Sequence, residues 1–131
     1  MSNGVTFAQC LAVSLGAATG ALLRWGSGVA LNGLWAGFPV ATLLVNCVGG
    51  LLIGVAMVWF QRSPNELLRL LMVTGFLGGF TTFSAFSAES LGLMQRDEWG
   101  LVTAHTVAHV LGALGCTALG FSMARALLLR G

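Results

Sequence analysis

The chain has 131 residues, a length suited to one domain, and is 56% hydrophobic and 8% charged, with a mean hydropathy of +0.89. A soluble domain carries about 25% charged residues, so four acids and six bases, all of the latter arginine, cannot coat a water-facing surface of this length. A net charge of +2 scattered along the chain excludes a nucleic-acid partner and a polybasic membrane patch, and no catalytic-triad, phosphate-loop or dinucleotide motif argues for an enzyme.

Residues 1–131 are therefore read as a single integral membrane domain in a lipid bilayer. Met1 to Gln9 carries no basic residue, which argues against a cleaved signal and for a retained first span. A hydrocarbon core of about 30 Å takes about 20 helical residues. Apolar length predicts an all-α membrane protein with spans over residues 7–25, 40–60, 67–94 and 101–128. The first span carries Gly16 and Gly20 and ends in "GALLRW", which places Arg24 near its end. Turn signals follow at Asn32-Gly33 and Pro39. The second span carries Gly50 and Gly54, and it buries Asn46 in "TLLVNCVGG", where an amide is costly unless bonded. Asn46 reads either as an interhelical clip or as a pore donor. Ser63-Pro64-Asn65 separates the second span from the third, and Asp97-Glu98 with Gly100 separates the third from the fourth. The fourth span has His105, His109 and Thr117 along one face, and the small pairs Ala108/Gly112 and Gly120/Ala124. The histidine pair has zinc-ligand spacing, but no acid or cysteine stands at a suitable distance along the chain.

Small residues at four-residue spacing let backbones approach, and packing within the chain is favoured over a dimer face. Trp25, Trp35, Trp59 and Trp99 fall at span edges or in the first loop, as an aromatic belt. Cys10, Cys47 and Cys116 lie in apolar runs and read as inert hydrophobes. Arg62, Arg69, Arg125 and Arg130 fall on the side of the termini, against Arg24 and Arg96 opposite. That weakly favours cytoplasmic termini.

"GGFTTFSAFSAE", Gly78 to Glu89, interrupts the third span. Two glycines in a helix interior cost roughly 1 kcal/mol each relative to alanine. Thr81 and Thr82 then compete with the helix through their hydroxyls. A break over Gly78–Thr81 follows, read equally as a plain kink or as unwound carbonyls that hold a monovalent cation. Phe80, Phe83 and Phe86 form one row, and Thr81, Ser84 and Ser87 a neighbouring row of hydroxyls. Aromatic rows are more often core, but positive ring edges alternating with donors suit a small anion stripped of water. Glu89, an ionisable group at the end of the row, is a functional candidate or an interfacial residue.

"GALLRW", "TLLVNCVGG", "TGFLGGFTTFSAFSAE" and "HVLGALGCTALG" resemble, in order, the Fluc/CrcB family of fluoride channels, and the third is the specific motif. The resemblance implies a dual-topology, antiparallel homodimer in the bacterial inner membrane, with two pores that export fluoride passively and protect the cell. It implies a central structural sodium ion held by backbone carbonyls of both subunits, here at Gly78 and Thr81. The pore asparagine matches Asn46, the two pore phenylalanines match Phe83 and Phe86, and Phe80 is left to packing. Glu89 matches the acid of the motif, Arg24 a vestibule arginine, and His109, with His105 and Thr117, the polar track of the fourth span. Thr82, Ser84 and Ser87 join the pore as hydroxyl donors. Ala85 stands where members often carry threonine, and Ala113 where some carry serine, which removes donors. The rival readings are a proton-coupled exporter and a non-transporting assembly module.

Overall fold

In the computed structural model, which describes residues 4–130, helical spans run Phe7–Leu31, Val40–Arg62, Glu66–Gln95 and Trp99–Leu128. All four are long and apolar enough to cross a bilayer, so the all-α, four-span class is as expected. Of the N-terminal segment discussed above, Met1, Ser2 and Asn3 lie outside the described residues.

Helix α1 (Phe7–Leu31) opens on a capping box. The Thr6 hydroxyl accepts from Gln9 N–H at 3.2 Å, and the Gln9 amide oxygen accepts from Thr6 N–H at 2.9 Å. The helix passes Trp25, its expected end, and stops only at Asn32, because Gly26 and Gly28 weaken a helix without ending it. Helix α2 (Val40–Arg62) starts behind Pro39, and α6 (Trp99–Leu128) starts behind a tight turn with Asp97 at φ 57°. An ion pair from Arg96 to Glu98 at 2.9 Å closes that turn.

The spans pair as α2 along α6 and α1 along the third span. Small residues set both crossings. A Cβ on Gly54 would meet the Thr117 carbonyl, and one on Gly20 would meet the Phe76 carbonyl. The four-residue small pairs are thus spent inside the chain, where backbones touch.

The third span is composite. Helix α3 (Glu66–Arg69) passes into π-helical turns at Leu70–Leu77, then α4 (Gly78–Phe80), and resumes as α5 (Phe83–Gln95). The break is real but lies later than expected. Gly78 is helical at φ −62°, ψ −37°, whereas Thr81 (φ −82°, ψ 156°) and Thr82 (φ −152°, ψ 119°) are extended. Gly79 serves packing instead, since a Cβ there would meet the Ala17 carbonyl of α1. Gly79 lets two helices touch; the threonines end one helix and start the next.

Candidate functional site

Most polar groups at the break are engaged within the chain. Thr81 donates both its N–H and its hydroxyl to the Leu77 carbonyl, at 2.9 and 2.8 Å. The Thr82 hydroxyl accepts from Ala85 N–H at 3.1 Å and so caps α5. Asn46 of α2 grips the Thr82 backbone from both sides. Its Oδ1 accepts from Thr82 N–H at 2.9 Å, and its Nδ2 donates to the Thr82 carbonyl at 3.0 Å. Arg24 Nε donates to the Gly79 carbonyl at 3.0 Å. These diversions leave two carbonyls out of the helix ladder. The amide that would close on Gly78 is Thr82 N–H, held by Asn46, and the one that would close on Thr81 is Ala85 N–H, held by Thr82.

The double grip also orients the Asn46 amide without ambiguity. A backbone N–H demands the oxygen and a backbone carbonyl demands the nitrogen. Nδ2 lies 3.3 Å from His109 Nδ1, and an amide nitrogen can only donate. His109 Nδ1 is therefore the acceptor, and its proton sits on Nε2 as a neutral imidazole. Both Asn46 N–H groups are thus used within the protein, so Asn46 is a clip. His109 Nε2 is buried without a hydrogen-bond partner.

An open cavity of about 500 Å³ lies along the break, lined by Asn46, Gly78, Thr81, Thr82, Phe83, Phe86, His109 and Ala113 among others. Phe86 stands at its inner wall with its ring 4.6 Å from His109 and 5.1 Å from His105, centroid to centroid. Phe83 lies 5.4 Å from Phe86 and is 76% exposed. Phe80 is buried and stacks on Phe76 at 5.7 Å, which agrees with a packing role.

Beyond Phe86 lies a second polar group. Glu89 accepts a hydrogen bond from the Thr42 hydroxyl through Oε1, and its Oε2 lies 3.6 Å from His105 Nε2. His105 is completely buried, and Phe38 packs edge-on against it at 5.6 Å.

Asn46, Thr82, Phe83, Phe86 and His109 therefore line one cavity. The others go elsewhere. Arg24 is engaged by the Gly79 carbonyl. Thr117 donates to the Ala113 carbonyl at 2.9 Å and packs against Gly50, between α2 and α6. Ser84 and Ser87 are exposed on α5, the former 3.1 Å from the Thr82 hydroxyl. Glu89 joins Thr42 and the histidines. Thr42 and Phe38 were not expected at the site. Thr42 precedes Asn46 by one helical turn, a spacing that could have revealed it. The expectation that no acid accompanies the histidine pair is corrected, because Glu89 arrives from a different helix.

Residues 11–121 match the family model described as "CrcB-like protein, Camphor Resistance (CrcB)". A relative from Aromatoleum aromaticum, named fluoride-specific ion channel FluC, is 48% identical over 93% of this chain and 95% of its own length. One of the same name from Pseudomonas aeruginosa is 50% identical over 86% of this chain and 91% of its own length. Another, from Bordetella petrii, is 45% identical over 89% and 91%, respectively.

Proposed function

The chain belongs to the CrcB-like family, and from that premise we propose that it is a fluoride-selective channel rather than an enzyme. Fluoride leaves the cell through it passively, down the electrical gradient of the bacterial inner membrane, and the cell is protected from the ion. The observation that carries this reading is the cavity at the broken span, lined by Phe83, Phe86 and His109, whose buried Nε2 has no hydrogen-bond partner. Fluoride gives up a strong hydration shell only if other donors replace it. Positive ring edges and a fixed imidazole N–H supply them in a water-poor site. Asn46 does not face the ion itself; it sets the His109 tautomer and holds the Thr82 backbone still.

The channel works as an antiparallel homodimer with two pores. Phe83, Ser84 and Ser87 face outward at the break in a single chain, and hydroxyls there are better matched by a second protein copy than by lipid. Charge gives little orienting force against dual topology. Arg24, Arg69 and Arg125 lie inside helical segments, which leaves Arg62, at the end of α2, and Arg130 against Arg96.

The Gly78 and Thr81 carbonyls suit a structural sodium ion, because both are released from the helix ladder and hard cations prefer oxygen. Two oxygens leave a cation shell incomplete, and the second copy would add its own pair. When bound there, the ion supplies a fixed positive charge that joins the two breaks.

The test is fluoride efflux from proteoliposomes with chloride as control. Rapid fluoride loss with retained chloride is expected. Flux strictly tied to a proton gradient would favour a coupled exporter, and no flux of any ion would favour an assembly module; either outcome overturns the channel.

A further inference from the structure

We propose that Glu89, His105 and His109 form a binding site for a divalent transition-metal ion of the zinc class. His105 and His109 lie one turn apart on α6, and α5 brings Glu89 against them. One ligand-type atom from each lies within 4.8 Å of the others, and Glu89 Oε2 is 3.6 Å from His105 Nε2. Metal bonds of about 2.0–2.2 Å in tetrahedral geometry need donors somewhat closer than this. Small side-chain rotations supply the difference.

The second observation is what the protein leaves unbonded. Glu89 Oε2, both nitrogens of His105 and Nε2 of His109 are buried without a hydrogen-bond partner. The two histidines are 0% and 5% exposed. Buried polar atoms without partners are costly, and one potential ligand atom from each of three residues gathered within 4.8 Å is not the pattern of ordinary packing. Thr42 engages Oε1 of Glu89 and leaves Oε2 free, so the carboxylate is already turned. Two imidazoles and one carboxylate match a zinc site with an open fourth position. Calcium and magnesium are excluded by their demand for oxygen ligands. Glu89, whose side chain is 25% exposed, is the way in.

Metal on His109 Nε2 requires the other tautomer of the neutral ring, with its one N–H proton shifted from Nε2 to Nδ1. Nδ1–H would then face Asn46 Nδ2, donor against donor, at the position now 3.3 Å away. A carboxylate at that position would instead accept Nδ1–H and complete a carboxylate–histidine–metal triad, a feature that raises metal affinity. The site thus makes an unusual demand: Asn46→Asp strengthens it. The same nitrogen cannot donate to fluoride and bind metal, so zinc slows any efflux that uses it.

The experiment titrates tag-free, full-length protein in detergent with Zn2+, followed by calorimetry, and with Co2+, followed by visible absorption. Cys10, Cys47 and Cys116 are replaced by serine to remove competing thiols. One saturable ion per chain is expected, with the intense bands of four-coordinate cobalt. His105→Ala and Glu89→Gln should each weaken binding at least about tenfold, and Asn46→Asp should tighten it by about tenfold or more. Binding is read at equilibrium, so the outcome does not depend on fluoride conduction. Absent saturable binding, equal affinity in His105→Ala, or a weak six-coordinate cobalt spectrum would overturn the site and leave bridging waters as the partners of these atoms. An Asn46→Asp protein that binds no more tightly would overturn the role of His109 Nε2.

Discussion

At Asn46 one side chain touches three consequences. It bonds the Thr82 backbone twice and assigns the proton on His109. Asn46→Ala removes both backbone bonds and leaves buried groups unpaired, a cost of about 1–3 kcal/mol for each group so exposed. Lower thermal stability and slower fluoride efflux are both expected, and a variant that melts and conducts like wild type would refute the clip. The phenylalanines separate in the same way. Phe86 lies against both histidines, and Phe83 extends the row outward, whereas Phe80 is buried against Phe76. Phe83→Ile or Phe86→Ile removes a ring edge from the proposed pathway. A barrier raised by about 1.4 kcal/mol already slows efflux tenfold. Phe80→Ile should lower stability while the folded fraction conducts normally. Wild-type efflux from both Phe83→Ile and Phe86→Ile would sink the pore-lining role.

At the scale of elements, the third span depends on starting a new helix inside the membrane. The Thr82 hydroxyl caps α5 at Ala85 N–H, while Thr81 closes α4 on Leu77. Thr82→Val keeps the shape and loses the cap, at about 1 kcal/mol. Its unfolding temperature in detergent should fall, and Thr82→Ser should recover most of the loss. Equal melting of the valine and serine variants would show that the cap contributes nothing. Spacing between elements is equally demanding. At Gly54 a side chain would run into the Thr117 carbonyl, which is backbone and has little room to move. Gly54→Val should force α2 from α6 and abolish recovery of folded protein; a normal yield would contradict that contact.

For the whole molecule, the decisive face is the one that a single chain leaves open. Phe83, Ser84 and Ser87 lie there, beside the unladdered Gly78 and Thr81 carbonyls. An antiparallel second copy would cover the face and add carbonyls to the cation. Single cysteines at the C-terminus, in a cysteine-free background, should react with impermeant reagents from both sides of the bilayer. Labelling from one side only would exclude dual topology. Replacing all sodium with a bulky organic cation during purification should weaken the dimer, and a dimer indifferent to sodium would remove the structural ion.

Span number, helical class and the position of the polar residues were legible in the chain because they rest on local quantities. Apolar length sets a span, and a hydroxyl pair in an apolar run marks a break. The motif "GGFTTFSAFSAE" also carried the family. Gly79 was misread as part of the break because a glycine looks the same in a sequence whether it loosens its own helix or admits another. Only the approach of Ala17 to Gly79 decides between them. Asn46 stood open between clip and pore donor for the same reason: its two N–H groups are spent on Thr82 and His109, residues 36 and 63 positions away. Glu89 meets His105 and His109 only when α5 packs against α6, and spacing along one helix carries no trace of that meeting. Periodicity records which residues share a face; which faces touch depends on how the helices pack.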